Sequence, residues 1–147
     1  MSDLRDLYQE VIMDHNKRPR NFRIIPQPTH HADGLNPLCG DRISVYLDVK
    51  DGVIQDISFQ GAGCAISSAS ASLMTEALKG KPVSEVEYLV DAFHTVVTND
   101  GECPKNLGKL NVLAGVRDYP SRVKCATLAW HAVRAALEQH KDPVATE

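Results

Sequence analysis

Long apolar runs are missing from this sequence. Among its 147 residues no stretch of apolar side chains exceeds three, Val11-Ile12-Met13 being typical. A membrane-spanning helix needs about 20 such residues and the apolar part of a secretory signal roughly 7–15. Neither is expected. With the charged start Met1-Ser2-Asp3-Leu4-Arg5-Asp6, the expectation is a cytoplasmic protein with no membrane partner. An excess of positive charge is also missing: 16 basic residues face 19 acidic ones, a net charge of −3. That weighs against nucleic-acid binding, which draws on a basic surface. Aromatic residues make up only 5%, and Tyr8, Tyr46, Tyr88, Tyr119 and Trp130 read as core or surface, not as a stacking platform. A Gly-rich phosphate loop and a His-Glu-x-x-His helix are both absent.

C-x-x-C pairs are missing too. Cys39, Cys64, Cys103 and Cys125 are separated by 25, 39 and 22 residues. Zinc ribbons, zinc fingers and thioredoxin motifs are therefore excluded. A disulfide framework belongs to short secreted chains, so these cysteines are expected to be thiols, metal ligands or reactive groups. Any metal site must be assembled by the fold from distant segments.

The composition that is present is globular: 43% apolar and 24% charged, enough for one core and one domain over residues 1–147, with a flexible tail from about 141. Leu4, Leu7, Tyr8, Val11 and Ile12 have helical spacing and predict a first helix, stopped by Lys17-Arg18-Pro19. Residues 19–37 hold four prolines and lack periodicity, which predicts an extended surface stretch. Ile43, Val45, Leu47 and Val49 alternate with polar residues. Val53, Ile57 and Phe59 continue on a second strand across an Asp51-Gly52 turn. Gly61-Ala62-Gly63-Cys64 is expected to add a short third strand. A helix of small residues over 66–79 ends at Gly80. The next begins at the capping box Ser84-x-x-Glu87. A short helix through Leu107, Leu110, Leu113 and Ala114 follows, and the last starts near Ser121. Strands first and helices after argue for an α+β fold.

Cys39-Gly40-Asp41 enters the first strand, and Gly40 allows the thiol and carboxylate to converge. A turn-capping Asp41 is the competing reading. Cys64 stands where strand gives way to helix; a buried structural cysteine is the alternative. Cys125 falls near the start of the last helix, where free amides, Arg122 and Lys124 favour a thiolate. Cys103 sits in a polar loop before Pro104 and reads as incidental. The six histidines are scattered and are taken as non-ligands. Three thiolates and one carboxylate would suit Zn²⁺ or an iron–sulfur cluster. A thiol hydrolase using Cys39 or Cys125 is a weaker reading, because no histidine has a persuasive context.

Three ordered motifs carry a family resemblance: Asn36-Pro37-Leu38-Cys39-Gly40-Asp41, Phe59-Gln60-Gly61-Ala62-Gly63-Cys64-Ala65-Ile66-Ser67, and Arg122-Val123-Lys124-Cys125-Ala126-Thr127-Leu128-Ala129-Trp130. Together with Tyr8–Phe22 they resemble the U-type iron–sulfur cluster assembly family that contains IscU and SufU, from about Leu4 to Leu137. Lys124 stands where IscU-type scaffolds have histidine. The Leu-Pro-Pro-Val-Lys chaperone segment is absent, and the 61-residue interval between Cys64 and Cys125 is long for IscU. These features resemble the SufU branch. The resemblance implies a small antiparallel three-stranded sheet covered by helices on one side. It implies zinc held by Asp41, Cys64 and Cys125, with Cys39 as fourth ligand and sulfur acceptor, and Arg122 and Lys124 as candidates for partner contact. It also implies a SufS-type pyridoxal-phosphate cysteine desulfurase as partner, with SUF assembly proteins downstream. The alternative it allows is a scaffold for a [2Fe–2S] cluster on the same ligands.

Overall fold

The computed structural model describes residues 2–36, 40–98, 120–138 and 144–145. The elements are α1 (Ser2–Lys17), β1 (His30–Asn36), β2 (Asp41–Lys50), β3 (Val53–Ala62), α2 (Ala65–Leu78), α3 (Val83–Thr98), α4 (Pro120–Leu137) and β4 (Val144–Ala145). The expected short helix around Leu107–Ala114 lies outside the described residues.

The sheet has the order β3-β2-β1-β4. Its three long strands are antiparallel, and the two-residue β4 adds a parallel edge to β1 at Gly34 and Leu35. Asp51 and Gly52 both take positive φ, 55° and 75°, which matches the twist of a tight hairpin. A register shift after Asp48 sets Val49 opposite Ile54. This bulge re-aims the strand and buries Ile54 together with Ile57 and Phe59, although strict alternation cannot place Ile54 and Ile57 on one face.

The third long strand is not the one the sequence suggests. Gly61 and Ala62 merely end β3, and Gly63-Cys64 lie in no strand. The partner of β2 is instead His30–Asn36, inside the proline-bearing stretch, in continuous register from His30↔Leu47 to Asn36↔Asp41. Its inward residues are Ala32, Gly34 and Asn36. None is a large apolar residue, so no hydrophobic alternation marks the strand.

Helices cover the sheet face that carries Ile43, Val45 and Leu47, all buried. α4 is buried almost all round, with Ala126, Leu128, Ala129, Trp130, Ala132, Val133, Ala135 and Ala136 each in the core. It packs against β1, β2, α2 and α3 at once. Phe93 of α3 stacks on Trp130 with ring centroids 4.4 Å apart. The small residues of α2 let its neighbours close in, and its hydroxyls tie it to them. Ser70 Oγ donates to the Ala126 carbonyl at 2.5 Å and accepts the Trp130 indole N–H at 3.1 Å. Ser72 Oγ accepts the Arg20 amide at 2.8 Å and lies 2.7 Å from His15 Nδ1. Thr75 Oγ1 accepts Asn21 Nδ2 at 3.0 Å. The helix ends as expected at a Gly80 of positive φ, whose amide donates to the Ile54 carbonyl at 2.8 Å. α3 starts at Val83, so Ser84 is already inside the helix and does not cap it.

Candidate metal centre

Asp41 opens β2 directly after Gly40, whose amide donates to the Asn36 carbonyl at 2.8 Å and draws the ends of β1 and β2 together. Cys64 is the N-cap of α2: its Sγ accepts the Ser67 amide at 3.4 Å. Gly63 makes the approach possible, since a Cβ there would lie 3.0 Å from Asp41 Oδ1. Cys125 projects from α4. These three residues come from three separate elements, and their ligand atoms all lie within 4.8 Å of one another.

The carboxylate is the organising member. The Cys64 amide donates to Asp41 Oδ1 at 3.0 Å, and Ser67 Oγ donates to Oδ2 at 2.6 Å. Cys64 Sγ lies 3.7 Å from Oδ2. Burial opposes ionisation of Asp41, but the hydrogen bonds from Ser67, Cys125 and Cys64 outweigh it and hold the carboxyl below its usual range. Asn36 Nδ2 approaches Cys125 Sγ at 3.8 Å.

Cys125 differs from expectation in one respect. α4 starts at Pro120, so this cysteine sits in the second turn, past the free amides of the helix end. It is only 4% exposed. Burial pushes its thiol up, and the proximity of Asp41 and Cys64 pushes it further. A cation among the three donors would favour the thiolate form. Two sulfurs and one hydrogen-bonded carboxylate, buried and convergent, form a donor set that fits a zinc ion or thiolate-bound iron.

Arg122 is exposed and Lys124 half-buried on the same turn of α4. Cys39 and Cys103 lie outside the described residues. Among the described residues no histidine belongs to the cluster. Sequence reasoning passed over two residues. Asn36 stood within a quoted motif without a role. Ser67 was read as one of several small helix residues, although its place three positions after an N-capping Cys64 is where a side chain meets the cap.

A family model described as the NifU-like N-terminal domain matches residues 7–146. The chain is 40% identical over 148 residues to the iron-sulfur cluster assembly scaffold protein IscU of Streptococcus pyogenes serotype M1, covering 95% of this chain and 87% of that one. It is 37% identical over 141 residues to the zinc-dependent sulfurtransferase SufU of Bacillus subtilis (strain 168), covering 95% of each. A crystal structure of a putative iron-sulfur cluster assembly scaffold protein for the SUF system from Fervidobacterium islandicum AW-1 superposes with a TM-score of 0.83 at 32% identity, covering 89% of this chain and 96% of that one. With this fold, this donor cluster and a match over nearly its whole length, the chain belongs to the NifU-like N-terminal domain family.

Proposed function

We propose that this protein works in iron–sulfur cluster assembly as a zinc-containing sulfur acceptor. Asp41, Cys64 and Cys125 hold the zinc and Cys39 completes the set. The observation that carries the reading is the convergence of one carboxylate and two thiols from three elements. The name of the Bacillus subtilis relative supports zinc over a cluster.

Bound zinc supplies one thing to this chemistry: it keeps ligating thiols deprotonated near neutral pH. The transfer itself is thiol exchange. The Cys39 thiolate attacks the terminal sulfur of a persulfide on a partner's cysteine. A bond forms between Cys39 Sγ and that sulfur, the partner's S–S bond breaks, and the partner's cysteine leaves as a thiolate. The proton on the terminal sulfur travels with it, so no external oxidant or reductant is consumed. Cys64 and Cys125 stay anchored to regular elements, and Asp41 is held by its hydrogen bonds. Cys39 follows from this division of labour as the exchangeable member. The donor is a SufS-type pyridoxal-phosphate cysteine desulfurase in the cytoplasm, and SUF assembly proteins receive the sulfur. Arg122 and Lys124, on the same turn of α4 as Cys125, are the candidates for contact with the donor.

The second reading, a [2Fe–2S] scaffold on the same residues, is favoured by the name of the Streptococcus pyogenes relative. Elemental analysis with acid-labile sulfide, on protein purified without oxygen or chelator, separates the two. Zinc near one per chain in a colourless protein supports sulfur transfer. Iron and sulfide in a brown protein supports the scaffold. Absence of all of these removes the ligand argument.

A further inference from the structure

Ser67 touches every one of the three residues that offer ligand atoms. Its hydroxyl donates to Asp41 Oδ2 at 2.6 Å. Its amide donates to Cys64 Sγ at 3.4 Å. Its Oγ lies 3.3 Å from the Cys125 carbonyl and 3.6 Å from Cys64 Sγ. The residue is 1% exposed, so water does not take over these contacts freely. A hydroxyl has a single hydrogen, and the shortest of its contacts, the carboxylate, claims it.

We infer that Ser67 is a positioning residue that fixes the Asp41 carboxylate and thereby sets how quickly the metal position of this site opens. The inference rests on the zinc reading given above. Asp41 Oδ1 is held by the Cys64 amide and Oδ2 by the Ser67 hydroxyl. Cys64 Sγ adds only a longer contact to Oδ2, at 3.7 Å, and both short anchors come from the first turn of α2 and its cap. Without the hydroxyl, Oδ2 loses its anchor and the carboxylate can swing about its last torsion, which is broad and soft. A ligand free to swing leaves and rejoins a metal more readily. Outer hydrogen bonds of this kind typically change metal affinity by 10–100-fold when removed. The Ser67 amide continues to hold Cys64 Sγ in any variant, and the hydroxyl's other contacts are longer than its bond to Asp41, so the main effect falls on the carboxylate arm.

The test is zinc transfer from the full-length protein to a chromophoric chelator, followed in time, for wild type, Ser67→Ala and Ser67→Thr. Ser67→Ala is expected to release zinc about 10-fold faster or more, and Ser67→Thr, which keeps the hydroxyl, stays near the wild-type rate. In an Asp41→Ala background, Ser67→Ala changes the rate no further, because the arm it acts through is gone. A release rate for Ser67→Ala within twofold of wild type, or an additive effect in the Asp41→Ala background, overturns the inference. The pair Ser67→Thr and Ser67→Val repeats the comparison at constant shape, so a folding defect of one variant does not decide the result. A wild-type protein that takes up no zinc overturns the underlying reading and this inference together. Zinc uptake with an unchanged Ser67→Ala rate overturns this inference alone.

Discussion

Cys64 and Asp41 hold each other: the Cys64 backbone amide donates to Asp41 Oδ1 at 3.0 Å, across a separation of 23 residues. One ligand-bearing residue thus orients another without using its own side chain. Removing the carboxylate takes the acceptor from that amide and leaves the Ser67 hydroxyl only its longer contact with the Cys125 carbonyl, at 3.3 Å. An unmet buried donor costs about 1–3 kcal/mol. Asp41→Ala is therefore expected to keep the native circular dichroism spectrum while its metal-free form melts several degrees lower, and to show altered zinc exchange. A metal-free Asp41→Ala variant that is unfolded would mean that the site is chiefly structural.

Cys39 is assigned the transfer and the other three residues the holding. Cys39→Ala is then expected to retain most of the zinc and to lose sulfur uptake when mixed with a persulfide-loaded desulfurase. Labelled sulfur recovered on the variant at the wild-type rate would show that another thiol accepts it.

Gly34 of β1 packs directly against Leu128 of α4. A Cβ at Gly34 would stand 3.0 Å from Leu128 Cδ1 and 3.4 Å from its carbonyl oxygen. Overpacking of this kind costs about 1–3 kcal/mol. Gly34→Ala should lower the urea midpoint by a corresponding amount with an unchanged slope. A midpoint equal to that of wild type would show that α4 yields without strain.

Asp56 pins the segment after α1 to β3. Its carboxylate accepts from Arg23 at 2.6 Å and has Lys79 Nζ at 3.6 Å. The Arg23 hydrogen bond outweighs partial burial and holds the carboxyl below its usual range. A depressed folded-state pKa stabilises the fold fully above the unfolded value of about 4 and loses that stabilisation as pH falls through the folded value. Asp56→Asn should cost at most about 1 kcal/mol at neutral pH and flatten the acid limb of the stability profile. Parallel acid limbs for the two proteins would show that the pair contributes nothing.

The parts of the fold that were legible in the sequence are those where large apolar residues mark one face. α1, β2 and the apolar side of α3 have such a pattern. β1 has none, because α4 presses so closely that only Ala32, Gly34 and Asn36 fit beneath it. Small residues and an amide on the inward face look like a loop. The expectation for Cys125 failed for a different reason. α4 starts within one residue of the expected Ser121, but position 125 already lies beyond the first turn, where amides are bonded within the helix and the side chain is buried. The three donors were reached through the family motifs, since local sequence left a turn-capping Asp41 and a buried structural Cys64 open and Cys125 has no glycine beside it. Ser67 was not, because a hydroxyl that donates to a carboxylate and one that merely fills space have the same letter and spacing.

The hydroxyl contacts of α2 have a consequence for how a metal arrives. Ser67, Ser70, Ser72 and Thr75 bind α2 to β2, to α4 and to the segment around Arg20 and Asn21. The helix cannot slide or roll without breaking several of these contacts together. Asp41, Cys64 and Cys125 are therefore pre-organised by folding, before any ion enters. Little conformational freedom is left for these three to lose, so an ion bound there would be captured without rearrangement of the core.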